Sequence, residues 1–409
     1  MSGNRRKRKS SATPPFSALT HALGGRRSRA WDVTDRAAAM DREGRDIIHL
    51  GVGDPDFDTP QVIVDAAISS LRSGRTHYSP LSGEPNLRAT IAKTGSAKYG
   101  VDISAEQVTV FPGAQCALYA AMICLSGASD EVIILEPFYA SYEGVAHAGG
   151  ALVVSVPLSA DNGFDLDIDL IASAITKNTR VILANSPGNP TGAVFSRSSW
   201  ESLIELCENK GIWLISDEVY SEFAFDRGHD SPLSLPNAGN NVVLVDSVSK
   251  TYAMTGWRLG WTIAPLELAS HLNNLAQCLL FGVSQFTQDA AELALREAHR
   301  DVRAMKEAFH SRRDVLCDAL ESIDGLVVHR PAGGMFVLVD VSTLGFDGDE
   351  FANALLDQSG VAVVPGSAFG DSVQDFVRIG YVVGEPRLQE AAARIADFVA
   401  QHNSPPPFP

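Results

Sequence analysis

The stretch that decides the fold spans residues 242–260 and reads VVLVDSVSKTYAMTGWRLG. It opens with four consecutive apolar residues, mostly β-branched, which is typical of a strand that is buried on both faces of a sheet. Directly after this run come the polar residues Asp246, Ser247, Ser249 and Lys250. In an open α/β sheet, residues at this place point into the crevice at the carboxyl ends of the strands. The stretch therefore predicts a buried strand that brings a lysine to a ligand-binding crevice.

Further short apolar runs indicate that this strand belongs to a larger sheet. They cover residues 108–111, 132–135, 181–184 and 213–215. Amphipathic segments lie between and after these runs, at residues 114–126, 198–209 and 266–280, and they have the period of helices. This alternation predicts an α/β fold whose large domain has a mainly parallel sheet between layers of helices.

The C-terminal part of the chain has a different pattern. A long, charged helical pattern runs through residues 289–310 without a strand. After it, predicted strands alternate with predicted helices at residues 326–329, 335–340, 348–358, 361–364, 376–381 and 386–402. We therefore expect a smaller α+β domain made of residues 31–60 and 300–409, beside a large domain of residues 61–299. The Asp-, Pro- and Gly-rich residues 51–60 would cross between the two domains.

The charge distribution argues against nucleic acid as a partner. The chain of 409 residues carries 33 Lys and Arg against 49 Asp and Glu, a net charge of −16. Eight of the basic residues and none of the acidic ones lie in residues 1–30, so the rest of the chain has a net charge of −24. Such an acidic body repels phosphate backbones. We expect residues 1–30 to be a disordered tail, because they lack the apolar core of a secretory signal and Pro14 and Pro15 interrupt any amphipathic helix.

Cysteine and histidine spacing gives no sign of a disulfide framework or a metal site. The five cysteines are far apart and include no Cys-x-x-Cys pair, which predicts free thiols in the reducing cytoplasm. The ten histidines are equally dispersed, so no metal site is predicted. No run of about 18 apolar residues occurs, and we expect no contact with a membrane.

Polar groups also follow three other predicted strands. Residues 216–220 bring Asp217 to the end of one strand, and residues 185–192 bring amide side chains to the end of another. Residues 112–115 open a helix after a third strand, where free backbone N–H groups bind phosphate readily. These groups match what pyridoxal 5′-phosphate requires. Its aldehyde needs a lysine, its pyridine nitrogen needs a carboxylate, and its phosphate needs a phosphate-binding loop. A nucleotide site is less well supported, because no G-x-G-x-x-G follows the first strand and no Walker loop occurs.

These motifs resemble those of the class I/II aminotransferases, which have the aspartate aminotransferase fold, known as fold type I. The resemblance extends over roughly residues 30–400, and the motifs have the family's order and spacing. They lie at residues 53–57, 185–192, 216–220, 247–250, 254–260 and 365–370, followed by Arg378. The resemblance implies a transaminase that depends on pyridoxal phosphate and acts as a homodimer.

The resemblance also implies a role for each matching residue around the cofactor ring. Lys250 corresponds to the lysine that forms the Schiff base, or internal aldimine, and moves the substrate proton. Asp217 corresponds to the carboxylate that pairs with the pyridinium nitrogen. Tyr220 and Asn189 correspond to the partners of the ring hydroxyl, and Tyr139 falls where members of the family stack an aromatic side chain on the ring.

The remaining implied roles concern the phosphate, the substrate and the second subunit. Arg378 corresponds to the arginine that binds the substrate α-carboxylate in a bidentate pair, with Gly53 and Asn189 beside it. Tyr78 corresponds to a tyrosine that crosses the dimer interface to the phosphate of the neighbouring subunit, which would place the active sites at that interface. The implied phosphate ligands are Gly113, Ala114, Gln115, Ser247, Ser249 and Arg258.

The identity of the amino donor depends on residues outside these motifs. Family members that use aspartate carry an arginine in the stretch that corresponds to residues 278–285, which here read CLLFGVSQ and hold no cation. Further stretches resemble bacterial arginine–pyruvate transaminases, namely residues 30–32, 52–60, 76–78, 113–119, 162–164 and 254–261. We therefore expect arginine or another basic or neutral amino acid as donor and pyruvate as acceptor. Asp32, Asp54 and Glu143 are candidate partners for a guanidinium group.

Two other functions are compatible with the same cofactor residues. A β-lyase of this fold that acts on cysteine conjugates would share every one of them. Aminotransferase-like domains also occur as cofactor sensors in transcription regulators, which add a helix-turn-helix domain. Only about 30 residues precede Trp31 here, which weighs against the regulator.

Overall fold

The computed structural model describes residues 16–23, 31–236, 238 and 240–402. Its helices are α1 (Ala18–Leu23), α2 (Asp32–Arg42), α3 (Gln61–Arg72), α4 (Pro85–Tyr99), α5 (Ala114–Leu125), α6 (Tyr142–Ala148), α7 (Ile168–Ala174), α8 (Arg197–Lys210), α9 (Val248–Thr251), α10 (Leu266–Leu279), α11 (Gln285–Glu297), α12 (His299–Glu321), α13 (Gly348–Ser359) and α14 (Glu385–His402). Its strands are β1 (Ile48–His49), β2 (Val108–Phe111), β3 (Glu131–Glu136), β4 (Leu152–Pro157), β5 (Thr179–Asn185), β6 (Trp213–Asp217), β7 (Val242–Ser247), β8 (Gly260–Ile263), β9 (Val327–His329), β10 (Phe336–Asp340), β11 (Val361–Ala362), β12 (Val364–Pro365) and β13 (Phe376–Gly380).

A seven-stranded sheet forms the centre of the larger part of the chain, in the order β2-β8-β7-β6-β5-β3-β4. The strands β3 to β7 pair in parallel, which confirms the predicted α/β fold with a mainly parallel sheet. β8 was not predicted, and it pairs antiparallel with both β2 and β7. Helices cover both faces of the sheet, as the continuous apolar runs require.

The remaining strands, β1 and five strands of the C-terminal region, form two smaller sheets. Four of them pair antiparallel in the order β12-β13-β10-β9, and β1 pairs in parallel with β11. The single strand predicted at residues 361–364 is therefore two short strands in different sheets. The domain boundaries stay a prediction, which the pairing of β1 with β11 supports because it joins residues 31–60 to the C-terminal region.

The helical pattern predicted through residues 289–310 is interrupted. α11 ends at Glu297 and α12 begins at His299, with Ala298 between them outside either helix. Alanine is the best helix former, so the sequence gives no sign of this break. α12 then extends over 23 residues and packs against α14.

Part of the predicted tail is ordered. Residues 18–23 form α1, which packs against α6, so the prediction of disorder does not hold for this segment. Residues 1–15 and 24–30, and the Pro-rich end at residues 403–409, lie outside the described residues. Within the described part of the chain, no helix is long and apolar enough to cross a membrane.

The order of the strands brings the predicted site residues to one edge of the large sheet. β5, β6 and β7 are parallel neighbours, and in their register Asn185 lies opposite Asp217, which lies opposite Val245. Their carboxyl ends therefore meet at the same edge, where ligands bind in open α/β sheets. The turn that carries Lys250 begins at this edge directly after β7.

Candidate active site

A cavity of about 200 Å³, here named the strand-end cavity, opens at the carboxyl ends of β5, β6 and β7. It also contacts the start of α5, residues 52–53, and β10 and β13 of the smaller sheet. Twelve of the fourteen predicted site residues line it: Gly53, Ala114, Gln115, Tyr139, Asn189, Asp217, Tyr220, Ser247, Ser249, Lys250, Arg258 and Arg378. Gly113 lies beside it in contact with the guanidinium of Arg258, and Tyr78 lies elsewhere.

Lys250 lies on the one-turn helix α9 that follows β7. Ser247 caps this helix: its Oγ accepts the N–H of Ser249 at 3.3 Å and so orders the turn. The Nζ of Lys250 donates to the carbonyl of Gly53 at 2.5 Å. Burial lowers the pKa of the Lys250 ammonium to about 8, against the opposing effect of Asp54. A lysine in this environment loses its proton close to neutral pH and becomes a nucleophile or base.

Asp217 ends β6, lines the same cavity and is buried. The hydroxyl of Tyr142 donates to its Oδ2 at 2.6 Å, and the N–H of Val219 donates to its Oδ1 at 3.2 Å. Burial raises the pKa of the Asp217 carboxyl to about 6, and the two hydrogen bonds act in the opposite direction. The carboxylate is therefore mainly ionised at neutral pH although it has no cation as partner among these contacts.

Tyr142 is a site residue that the sequence did not reveal. It begins α6, three positions after the predicted Tyr139, and the two rings meet edge to face with centroids 5.8 Å apart. Its side chain is buried and its hydroxyl reaches Asp217 across the sheet edge. The only sequence signal for Tyr142 was the presence of a second tyrosine three positions after Tyr139, near the start of a helix. This signal could not show that the hydroxyl of Tyr142 would donate to Asp217.

Arg378 projects from β13 and is 1% exposed. Its Nη1 donates to Oδ1 of Asn189 at 2.8 Å, and its Nη2 donates to the carbonyl of Gly51. The Cζ of the guanidinium lies over the rings of Phe336 and Phe369, at 4.0 and 4.7 Å from their centroids. Its Nε has no hydrogen-bond partner among the described residues.

The charge of Arg378 is thus met by an amide, a carbonyl and two aromatic faces, and by no carboxylate within the described part of the chain. Burial lowers the pKa of its guanidinium to about 10, which measures how poorly the charge is compensated. A buried cation is normally paired. The arrangement therefore favours an anionic ligand that supplies the missing partner.

A second anion-binding arrangement lies at the start of α5. Gly113 precedes the helix with φ of 84°, and the N–H groups of Ala114 and Gln115 are among the first of the helix, which have no acceptor within it. A Cβ at position 113 would lie 2.5 Å from Nη2 of Arg258, so the guanidinium is packed directly against this loop. Arg258 itself has φ of 53° and donates from Nη1 to the carbonyl of Thr255 at 2.8 Å.

The close approach of β8 allows this arrangement. A Cβ at Gly260 would lie 2.6 Å from the backbone nitrogen of Ala114 and 2.9 Å from the carbonyl oxygen of Asp246. Only glycine at this position lets the start of α5 touch the strand backbone. The helix N-terminus, Arg258 and the hydroxyls of Ser247 and Ser249 then surround one end of the cavity.

Tyr220 and Tyr78, two further predicted site residues, differ in their surroundings. Tyr220 is buried beside Asn189 and meets Phe336 edge to face at 6.2 Å. Tyr78 is 80% exposed and packs on Phe281, with ring centroids 5.1 Å apart. Its predicted contact with a second subunit stays a prediction.

None of the three candidate partners for a guanidinium lines the strand-end cavity. Asp54 comes nearest, because its carboxylate accepts the hydroxyl of the lining residue Thr255 at 2.7 Å and acts on the pKa of Lys250. Asp32 lies on α2 and Glu143 on α6. Lining residues outside the predicted set include Trp31, Val52, Leu118, Tyr142, Asn185, Val219, Thr255 and Phe336.

The chain is similar to proteins of known activity over almost its whole length. A family model described as aminotransferase class I and II matches residues 45–395. The chain is 47% identical over 386 residues to arginine–pyruvate transaminase AruH of Pseudomonas aeruginosa, which covers 94% of this chain and 98% of that protein. It is 36% identical to the aspartate aminotransferase of Pyrococcus horikoshii, over 90% of this chain and 94% of the relative.

Solved structures agree with this similarity. The aspartate aminotransferase of Thermus thermophilus with maleate has a TM-score of 0.89 and 33% sequence identity, and the match covers 94% of this chain and 100% of that chain. The enzyme from Rhizobium meliloti has a TM-score of 0.90 and 33% identity, covering 95% and 99% of the two chains. The predicted fold type is therefore confirmed.

Proposed function

This chain belongs to the aminotransferase class I and II family, and we propose that it moves the α-amino group of a basic or neutral L-amino acid to pyruvate, with pyridoxal 5′-phosphate as cofactor. The observation that carries the proposal is the buried guanidinium of Arg378 in the same cavity as Lys250 and Asp217. An amino acid and a 2-oxo acid share one feature that such a cation binds, the α-carboxylate. Transfer in both directions then needs only one carboxylate site.

The residues of the strand-end cavity fit the proposed cofactor. The N–H groups of Ala114 and Gln115 with Arg258 form an anion site for a phosphate at one end. Asp217, ionised and without a cation, fits a protonated ring nitrogen at the other end. Lys250 supplies the amine that an aldehyde requires, and its lowered pKa favours the reactive neutral form.

Each protein group then has a defined task. The bound cofactor would supply an electron sink for the substrate carbon that loses its proton. Asp217, held by the hydroxyl of Tyr142, would keep the ring nitrogen protonated. The Nζ of Lys250 would take the proton from the α-carbon of the donor and hold it until it is returned, because its pKa of about 8 suits both steps near neutral pH.

Arg378 and Asn189 would orient the substrate for this proton transfer. The guanidinium of Arg378 is already fixed by Asn189, Gly51 and two aromatic rings, so little conformational entropy is lost when a carboxylate binds. A fixed fork of donors sets the direction of the bound carboxylate. The α-hydrogen of the donor would thereby face Lys250.

The proposed donor class follows from the charges around the cavity. Asp217 is the single acidic side chain among its described lining residues, and no cation other than Lys250, Arg258 and Arg378 lines it. A second substrate carboxylate would thus find no cation of its own within the described lining. A guanidinium or apolar side chain could instead lie on aromatic faces such as Trp31 or Tyr139. The 47% identity to a protein named arginine–pyruvate transaminase supports arginine within this class.

A panel of amino donors against pyruvate and 2-oxoglutarate tests the proposal. We expect arginine or neutral amino acids with pyruvate to give stoichiometric 2-oxo acid and alanine, and to change the visible absorbance of the protein in each half-reaction. Aspartate should be a poorer donor, because its side-chain carboxylate finds no cation of its own in the described lining. Release of ammonia and thiol from cysteine conjugates without any keto acid would instead identify a β-lyase.

The proposal includes a homodimer in the cytoplasm. Tyr78 and Phe281 form an exposed aromatic pair, which is the kind of surface that a second subunit covers. Cysteines at positions 116, 124, 207, 278 and 317 are all free, which is usual for a reducing compartment. Analytical sedimentation of the purified protein and of its Tyr78→Ser variant tests the dimer.

A further inference from the structure

A second cavity, of about 530 Å³, lies on the reverse side of the turn that carries Lys250. It is enclosed by α4, by α11 and α12 near their junction, and by the ends of β7 and β8, and is named the rear cavity here. We propose that the rear cavity binds a zwitterion of amino-acid size, with its cationic end at Asp246 and its carboxylate at His299, Arg303 and Lys306.

Among the described lining residues, the acidic side of the rear cavity has one ammonium, that of Lys98, beside the two carboxylates of Asp246 and Glu222. Asp246 is half-buried near the end of β7, and its Oδ1 accepts the N–H of Ser247 at 2.7 Å. The ammonium of Lys98 is already taken, because its Nζ lies 2.6 Å from Oε1 of Glu222 and 2.9 Å from the hydroxyl of Ser221. No ion pair among the described residues includes Asp246.

The consequence for Asp246 is a raised pKa. Burial moves the pKa of its carboxyl to about 8, and the charge of Lys98 only partly opposes this effect. An ammonium or guanidinium group beside the carboxylate would favour the ionised form. Binding of a cationic group should therefore release a proton from Asp246 at neutral pH.

The part of the rear cavity lining that α12 forms is basic. His299, Arg303 and Lys306 follow one another at intervals of four and three positions, so they share one face of α12. None of these three side chains takes part in an ion pair or hydrogen bond with other described residues. In a protein of net charge −16, a row of unpaired basic groups at a cavity attracts an anionic group.

The two sides together select the class of ligand. A dicarboxylate would place one negative charge beside Asp246 and Glu222, which would repel it. A diamine would place one positive charge beside the basic residues of α12, which would repel it in the same way. The lining also has an apolar part, which includes Trp261, Ile263 and Leu295. A chain of methylene groups with opposite charges at its ends, as in an amino acid with a long side chain, matches the acidic, the basic and the apolar parts of the lining.

The rear cavity also touches the catalytic turn. Ser247 lines both cavities, and its Oγ holds the first turn of α9, which carries Lys250. Asp246 directly precedes Ser247, so a ligand bound to Asp246 lies next to the residue that caps α9. Occupation of the rear cavity would therefore alter the substrate affinity of the strand-end cavity, and substrate would alter ligand affinity by the same factor.

Calorimetric titration with 6-aminohexanoate tests the inference on the purified protein with its cofactor. This probe has an ammonium and a carboxylate at the ends of a flexible chain, and it lacks the α-amino group of a substrate. We expect one binding event per chain below about 10 mM, weakened at least about tenfold by Asp246→Asn and by Arg303→Ala. Arg300→Ala is the matched control, because this residue lies on the same helix but does not line the cavity.

Further measurements separate the rear cavity from other sites. Hexanoate and hexylamine, which each lack one charge, should bind at least about tenfold more weakly. Heats measured in buffers of different ionisation enthalpy should show proton release that disappears in Asp246→Asn. The inference is overturned if 6-aminohexanoate does not bind, if Asp246→Asn and Arg303→Ala bind it normally, or if only Arg378→Lys abolishes binding.

Discussion

Replacement of Tyr142 by phenylalanine tests whether the hydrogen bond to Asp217 sets the ionisation of that carboxyl. The substitution keeps the ring, which is buried and packs against Tyr139, and removes only the hydroxyl 2.6 Å from Oδ2 of Asp217. The carboxylate then loses a donor that favours its ionised form. We therefore expect the pKa of Asp217 to rise.

The size of the shift follows from the strength of the bond. A hydrogen bond to a charged group contributes about 1.5–3 kcal/mol, and one pKa unit corresponds to about 1.4 kcal/mol. The pKa of Asp217 should therefore move from about 6 to between about 7 and 8. At pH 7 the ionised fraction would fall from about nine tenths to between about a half and a tenth.

The assay is a carbon-13 NMR titration of the Asp217 carboxyl in the cofactor-free protein, because a bound cofactor would itself change the pKa of this group. The midpoint of this titration should move upward by about one to two units in Tyr142→Phe. Tyr119→Phe is the control, because Tyr119 lies on α5 and does not line the strand-end cavity. A midpoint that stays near 6 in Tyr142→Phe would show that the Tyr142 hydroxyl does not set the ionisation of Asp217.

Three other substitutions test the remaining roles. Lys250→Ala should remove the pH-dependent visible band and the borohydride-reducible link to the cofactor, so a link that persists in the variant would exclude Lys250. Arg378→Lys should lower kcat/KM for arginine, alanine and pyruvate alike, by a factor that corresponds to about 2–5 kcal/mol, because all three share the carboxylate; a loss with arginine alone would assign Arg378 to the side chain. Asp217→Asn should abolish turnover yet stabilise the cofactor-free protein by up to about 3 kcal/mol, because the folded pKa of about 6 lies above the unfolded value of 3.8 and ionisation opposes folding. This gain in the free energy of unfolding should be complete above pH 6 and vanish as the pH falls below 3.8. Thermal unfolding of both proteins from pH 3 to 8 measures the gain. A difference in stability that does not change with pH would contradict this prediction.

The strands that the sequence predicted are those whose burial leaves a local pattern. Residues 181–184 form a continuous apolar run, and they lie in β5 at the centre of the sheet. β4 lies at the edge and is mostly half-buried or exposed, so it has no such run. β8 begins with Gly260, a residue that weakens any strand signal. The position of these two strands depends on their neighbours more than on their own residues.

The same distinction applies to the candidate site. Asp217 and Lys250 could be found because each follows a buried strand, and the motifs around them resemble a known family. Tyr142 could not, because its hydroxyl meets Asp217 from a position 75 residues earlier in the chain. Trp31 reaches the cavity from outside both the sheet and its helices. Contacts between distant segments leave no periodic trace in either of them.

The backbone contact at Gly260 has a consequence for laboratory evolution of donor preference. A methyl group there would collide with backbone atoms of Gly113, Ala114 and Asp246, and backbone cannot move aside as a side chain can. Randomised libraries should therefore lose almost every variant at this codon, including the smallest change to alanine. Trp31 and Val52 line the same cavity but take no part in this backbone contact, so substitutions there leave it intact. A search for new donors is better directed to these two positions, with codon 260 held constant.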